Sequence, residues 1–327
     1  MKRMIGKVFS TSILVFAAPF AAVHAGSFPV QVENCGVNVT IEKSPQRIFL
    51  VNNDSISLLE QVGMLDRVIA RTAEPVEGVY SEDTVKTISE VPIVSKKRKD
   101  TGGSIITLES VLAYKPDLVL APESSIDRDL LLQSGIPLYS PPAYCKNSQN
   151  RPSGEANFQR VFERVRDFGK MFGVTELAKS KIKELSKLID SFDDKEKQVH
   201  GTAIAIYVAA SGTLYPYGTA SMVTPIFKTV GLENVYGDVK ERVFEASIED
   251  ILGRNPETIV LLYSHSKAED VIAAFKRVSG TQALSAVKNN RVIALEFAFT
   301  DPPTPHSILG TTRLAKKVSE LGHDHSH

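Results

Sequence analysis

The sequence predicts an α/β protein of two lobes, with mainly parallel sheets joined by a single long α-helix, and three observations carry this. Strand and helix patterns alternate along nearly the whole chain. A helix–Pro–Asp/Glu–strand unit occurs twice, as SVLAYKPDLVLA (110–121) and DILGRNPETIVLL (250–262). Between the two units lies a long amphipathic stretch. Alternating β and α segments require crossover connections, and these give parallel sheets with helices on both faces.

The amphipathic stretch is EANFQRVFERVRDFGKMFG, residues 155–173. Phe158, Val161, Phe162, Val165, Phe168, Met171 and Phe172 recur every three or four residues and form one helical stripe. Gly173 stands where a left-handed C-cap belongs, and Asn157 or Ser153 can cap the start. At 1.5 Å per residue the helix would be roughly 28 Å long. Periodicity alone also fits an ordinary surface helix. The duplicated units on either side favour a strut between lobes.

The first unit is preceded by a strand from Arg47 to Val51 after a turn at Pro45, a helix through Ile56, Leu59, Val62 and Leu65, and the strand RVIA. Residues 72–103 read as one long loop carrying the basic run Lys96, Lys97, Arg98 and Lys99. DLVLA is an apolar run of the kind buried on both faces of a parallel sheet. DRDLLLQSG gives a helix ending at Gly135, and IPLYS another strand. After the strut comes a second long helix, ELAKSKIKELSKLIDSFDDKEKQ. TAIAIYVAA, SMVTPIFKTVG, the second unit, KAEDVIAAFKRV, RVIALEF and ILGTTRLAKKVSELG then continue the alternation.

The 327 residues, 43% of them hydrophobic, suffice for about two domains. Residues 1–25 have the parts of a secretory signal: Lys2, Arg3 and Lys7, an apolar run from Val8 to Ala22, and Val23-His24-Ala25 as cleavage site. The mature chain is expected to be exported and to start near Gly26, and no cysteine at that point invites a lipid anchor. Removing the leader leaves 35 basic and 38 acidic residues, a balance with no general attraction to nucleic acid or anionic membrane. Cys35 and Cys145, an even pair in an exported chain, favour a disulfide, with two free thiols as the alternative. The expected divisions are a first lobe over 26–154, the helix 155–173, a second lobe over 174–322 and a His-rich tail, 323–327.

The usual catalytic signatures are absent: no glycine-rich phosphate loop, Gly-x-Ser-x-Gly, His-Glu-x-x-His or Cys-x-x-Cys. A hydrolase triad of Ser221, Asp301 and His306 can be drawn, although Ser221 is better placed to cap a helix. His265, after a strand's carboxyl end, and His306 are the metal-ligand candidates outside the tail's His323, His325 and His327. Tyr207, Tyr215, Tyr217 and Tyr263 gather near second-lobe strand ends with Arg242, while Arg71, Tyr80, Lys96 and Arg98 lie on first-lobe loops. Guanidinium forks and phenols facing each other across a cleft suit a bulky anionic ligand.

In order and spacing, TLESVLAYKPDLVLAP, the strut, GLENVYGDVKERVFEASIEDILGRNPETIVLLYS and ALSAVKNNRVIALEF resemble the periplasmic binding proteins of ferric siderophore, heme and vitamin B12 importers, over about residues 35–320. The resemblance implies two Rossmann-like lobes bridged by one helix, no enzymatic activity, and a monomer that passes its ligand to an ABC permease. Glu109 and Glu249 match the family's permease-docking glutamates, and the cysteine pair is similar to that of the iron-siderophore branch. The implied ligand is a ferric siderophore of hydroxamate or carboxylate type that brings its own Fe3+, with heme and cobalamin as rivals; the protein itself needs no cofactor. The chain departs from its relatives in lacking tryptophan and in reading DPPTPHS where a glycine-proline turn with an arginine is common.

Overall fold

The computed structural model describes residues 28–76, 78–95, 97, 103–192, 201–209, 211–264 and 266–323. The signal segment, Lys96, Arg98, His265 and the tail beyond His323 lie outside them. The described chain begins with a hairpin, β1 (Val30–Asn34) and β2 (Val37–Ile41). Its turn, Cys35-Gly36, has φ of +57° and +79°, the pair of left-handed residues that a two-residue hairpin demands.

The first sheet is parallel, with β3 (Ile48–Leu50), β4 (Val68–Arg71), β5 (Leu118–Leu120) and β6 (Leu138–Tyr139) in the order β4-β3-β5-β6. Every residue of β3, β5 and β6 is buried, which is why these strands read as unbroken apolar runs. Helices α1 (Ile56–Gln61), α2 (Glu82–Ser89), α3 (Leu108–Leu112) and α4 (Arg128–Gln133) connect them. Helix α2 lies within the stretch expected to be all loop. Ser81 accepts a hydrogen bond from Thr84 N at 3.2 Å, Glu82 and Asp83 occupy the first turn, and Ile88 is buried, but eight residues are too few for a periodic signal.

α5 (Gln159–Phe172) is the strut, and Gly173 closes it with φ +71°. It is four residues shorter at its start than expected, and so about 21 Å long. Ala156 N donates to Thr219 O, holding the backbone out of the helix, and Asn157 Oδ1 caps Gln159 N at 3.0 Å. α6 (Thr175–Asp190) turns back directly against α5. A Cβ on Gly169 would stand 2.4 Å from Ala178 Cβ, so this glycine permits the close crossing of the two helices. The apolar faces of α5 and α6, including Val161, Phe168, Met171, Ala178 and Leu185, share one core with the first sheet.

The second sheet holds β7 (Gly201–Val208), β8 (Leu214–Pro216), β9 (Leu232–Asn234), β10 (Thr258–Tyr263) and β11 (Val292–Glu296), in the order β11-β10-β7-β8 with β9 also against β7. All pairings are parallel except β8 on β7, which sets Tyr215 opposite Tyr207. The helices here are α7 (Val223–Thr229), α8 (Ile248–Arg254), α9 (Ala268–Arg277), α10 (Ser285–Lys288) and α11 (Pro305–His323).

The duplicated units agree in backbone detail. Lys115 and Asn255, each before its proline, have φ of +48° and +40°; Asn255 is the C-cap of α8, and Lys115 follows the turn that ends α3. The acid after each proline then ties down the start of the adjacent strand: Asp117 accepts from Gln46 N and Arg47 N, and Glu257 from Thr202 N. The lobes also exchange side chains. Met222 and Ile308 enter the first core, and Val79 of the first lobe enters the second. Arg160 donates to Ala220 O at 2.6 Å and Arg313 to Gly78 O at 2.8 Å.

Candidate functional site

A cleft of about 800 Å3 lies between the lobes, within the usual range for a small-molecule site. Its walls come from the carboxyl ends of both sheets: Asn53 and Asp54 after β3, Pro122 and Ser124 after β5, Tyr207 on β7, Tyr263 on β10, and Glu296 and Phe297 at the end of β11. Open parallel sheets gather ligands there because the strands stop and the loops diverge.

Six of the nine tyrosines line the cleft: Tyr80, Tyr144, Tyr207, Tyr215, Tyr217 and Tyr263. Burial pushes the phenols of Tyr80, Tyr144 and Tyr217 well above their ordinary range, and that of Tyr263 up to about 12. Near neutral pH these groups remain uncharged and offer flat faces and hydroxyls. Tyr144 is brought in by the disulfide. Cys145 bonds to Cys35 across 110 residues of sequence and pins the 142–144 turn, whose Tyr144 ring lies 5.6 Å from the Arg242 guanidinium.

Arg242 Nη1 is paired with Asp301 Oδ2, and Ser221 Oγ donates to Asp301 Oδ1 at 2.7 Å. Burial works against the charge on Arg242, but the Asp301 carboxylate outweighs it and holds the guanidinium protonated. This network removes the hydrolase reading. Ser221 is 1% exposed, its oxygen accepts from Val223 N at the start of α7, and its hydroxyl donates to the ion-paired Asp301 rather than to His306, so the order serine–histidine–aspartate that a triad needs is not formed. His306 instead lies between the rings of Tyr80 and Phe299, each 5.1 Å away. Burial and the nearby Arg313 push its imidazole down to about 4, so it is neutral at physiological pH.

Of the residues singled out from sequence, Tyr80, Tyr207, Tyr215, Tyr217, Arg242, Tyr263 and His306 come together on the cleft wall. Arg71 does not. It is 3% exposed, and its guanidinium donates to Val91 O, Ala73 O and Glu74, anchoring the loops on either side of α2. Lys96, Arg98 and His265 fall outside the described residues. Glu109 and Glu249 are exposed in the first turns of α3 and α8, behind the capping side chains of Thr107 and Ser247. Hydrogen bonds from its own backbone N–H and from Thr107 hold Glu109 below the ordinary carboxylate range. Asp54, Tyr144 and Glu296 were not foreseen. Asp54 follows β3, and position after a parallel strand could have flagged it; nothing local marks Tyr144.

A family model described as periplasmic binding protein matches residues 48–298. The structure of an ABC-type Fe3+-hydroxamate transport system from Saccharomonospora viridis is similar, with a TM-score of 0.83 and 30% identity, covering 89% of this chain and 99% of that one. The ABC transporter substrate-binding lipoprotein YvrC of Bacillus subtilis is 23% identical over 300 residues, 89% of this chain and 86% of YvrC. The vitamin B12-binding protein of Vibrio parahaemolyticus is 24% identical over 255 residues, 75% of this chain and 86% of that protein. The chain therefore belongs to the periplasmic binding protein family, the non-enzymatic substrate-binding components of ABC importers.

Proposed function

We propose that this protein, exported by its N-terminal segment, captures a ferric siderophore of the hydroxamate type in the cleft and delivers it to an ABC permease. The charge of the wall carries the choice of ligand. Among the described residues Arg242 is the one cationic side chain lining the cleft, and Asp301 already neutralises it. A chelate of several negative charges would be desolvated there without compensation. Ferric hydroxamates wrap the iron in a neutral shell of oxygens, which phenol hydroxyls and one guanidinium can address by hydrogen bonds. The expectation of a bulky anion thus narrows to a neutral chelate, and the carboxylate type is set aside. The similarity to the Saccharomonospora protein supports the same reading. Because the phenols of Tyr80, Tyr144, Tyr217 and Tyr263 are held protonated, the iron keeps its own ligands and the protein contributes shape and polar contacts.

Glu109 and Glu249 open two matching helices, one in each lobe, and two separated carboxylates suit docking to two basic sockets of a permease. Heme or cobalamin is the second reading, favoured by the neutral His306 imidazole on the cleft wall. Calorimetric titration with a ferric hydroxamate, ferric citrate, heme and cobalamin tests the choice. Tightest binding of the hydroxamate supports the proposal; tightest binding of heme or cobalamin, lost in His306→Phe, replaces it.

A further inference from the structure

Asp54 borders two spaces at once. One side faces the ligand cleft, and the other faces a small void of about 10 Å3 lined also by Arg164, Tyr144, Asp301 and Thr304. Arg164 projects from α5 with 3% exposure, and its Nε and Nη2 atoms have no hydrogen-bond partner. The void is about the size of one water, which there would accept from Arg164 and donate to Asp54. Among the described residues no protein group donates to the Asp54 carboxylate. The other acids of the region are engaged: Asp301 with Arg242 and Ser221, Glu296 with Arg313 at 3.5 Å. Among the described residues, Asp54 is therefore the cleft acid with no cation in direct contact.

On this basis, and resting on the ferric-chelate reading above, we propose that Asp54 is a specificity-determining subsite for a cationic ammonium arm on the chelate. The neutral iron shell would lie against the phenols and Arg242 while the arm reaches the first-lobe wall. The electrostatics agree. Burial pushes the Asp54 carboxyl up to about 6 although Arg164 and Arg242 pull the other way and Asp301 adds to the rise. It is ionised at pH 7.5 but under-compensated, and a ligand cation supplies the missing charge. Around it stand the charged side chains of Arg164, Arg242 and Asp301, and between pH 5 and 7.5 Tyr80 and Tyr144 stay protonated and the nearby His306 stays neutral. A preference for the cation is thus present above pH 6 and lost as pH falls through it.

The probes are ferrioxamine B, a ferric trihydroxamate ending in an ammonium, and its neutral N-acetylated form, titrated at pH 7.5 and pH 5 into the wild type and Asp54→Asn. A thermal melt of each protein confirms that it is folded. The wild type should bind the cationic chelate about tenfold tighter at pH 7.5, the roughly 1.4 kcal/mol of a partly buried charge-assisted contact. The preference should shrink towards unity at pH 5, and Asp54→Asn should bind both chelates alike at either pH. Equal wild-type affinities at pH 7.5, or a preference that survives in Asp54→Asn, overturns the subsite while leaving the hydroxamate reading intact. Binding of neither chelate overturns the hydroxamate reading and the subsite with it.

Discussion

Replacing His306 by phenylalanine should flatten part of the protein's acid sensitivity. The imidazole is 6% exposed between Tyr80 and Phe299, and its folded pKa of about 4 lies below the unfolded value near 6.5. A histidine depressed in this way stabilises the fold above its unfolded pKa, and that contribution is lost as pH falls through 6.5 towards 4. At pH 4.5 the unfolded chain is almost fully protonated at this site and the folded protein mostly is not. Linkage then gives a loss of about 2.5 kcal/mol relative to pH 7.5. Phenylalanine keeps the ring stack and cannot titrate. Asp54 acts in the opposite sense, since its raised pKa stabilises the fold at low pH and that contribution fades as pH rises through 6, but it is present in both proteins and cancels. Urea unfolding of the wild type and His306→Phe at both pH values measures the difference. The variant should gain about 2.5 kcal/mol on the wild type between pH 7.5 and 4.5. A relative change below about 0.5 kcal/mol would show that the imidazole is not desolvated in this stack.

A Cβ on Gly310 would fall 1.7 Å from Phe299 O, a backbone atom that cannot step aside, so Gly310→Ala should displace α11 from the 297–299 turn. A loss of about 3 kcal/mol or more is expected, and a melting temperature within a degree of wild type would refute the packing of that helix. Converting both Cys35 and Cys145 to serine should cost about 4 kcal/mol in chemical denaturation and weaken ligand binding by freeing Tyr144 from Arg242; unchanged affinity would separate the disulfide from the site. Reversing charge at both Glu109 and Glu249 should abolish uptake by whole cells and leave the affinity of the purified protein within about twofold. Uptake at the wild-type rate would remove those residues from docking.

The sheets and the strut were legible because their signals are repetitive. Fully buried parallel strands produce apolar runs such as DLVLA and TIVLL, and α5 keeps a helical stripe over fourteen residues. Shorter elements escaped: α2 has one buried apolar side chain, and β8 is a three-residue edge strand ending in Pro216. At the cleft, tyrosines near strand ends were readable because loops after parallel strands converge there. Arg71 was misleading for a physical reason. An arginine at a strand end can serve a ligand or satisfy buried carbonyls, and here Val91 O and Ala73 O claim it. Asp54 and Arg164 lie 110 residues apart and meet only through the folded chain, one on a loop and one on α5. Their shared void has no counterpart in local sequence.

Recognition of a neutral iron shell by the cleft is tested by comparing two ferric chelates of similar size and different charge. Calorimetric titration at pH 7.5 with a neutral tris-hydroxamate and a trianionic tris-catecholate is that measurement. A neutral-shell preference requires a dissociation constant near or below about 1 µM for the hydroxamate and binding at least about a hundredfold weaker for the catecholate. Equal or tighter binding of the catecholate would contradict it, because the paired Arg242 could not then be the cation that sets the cleft's charge preference.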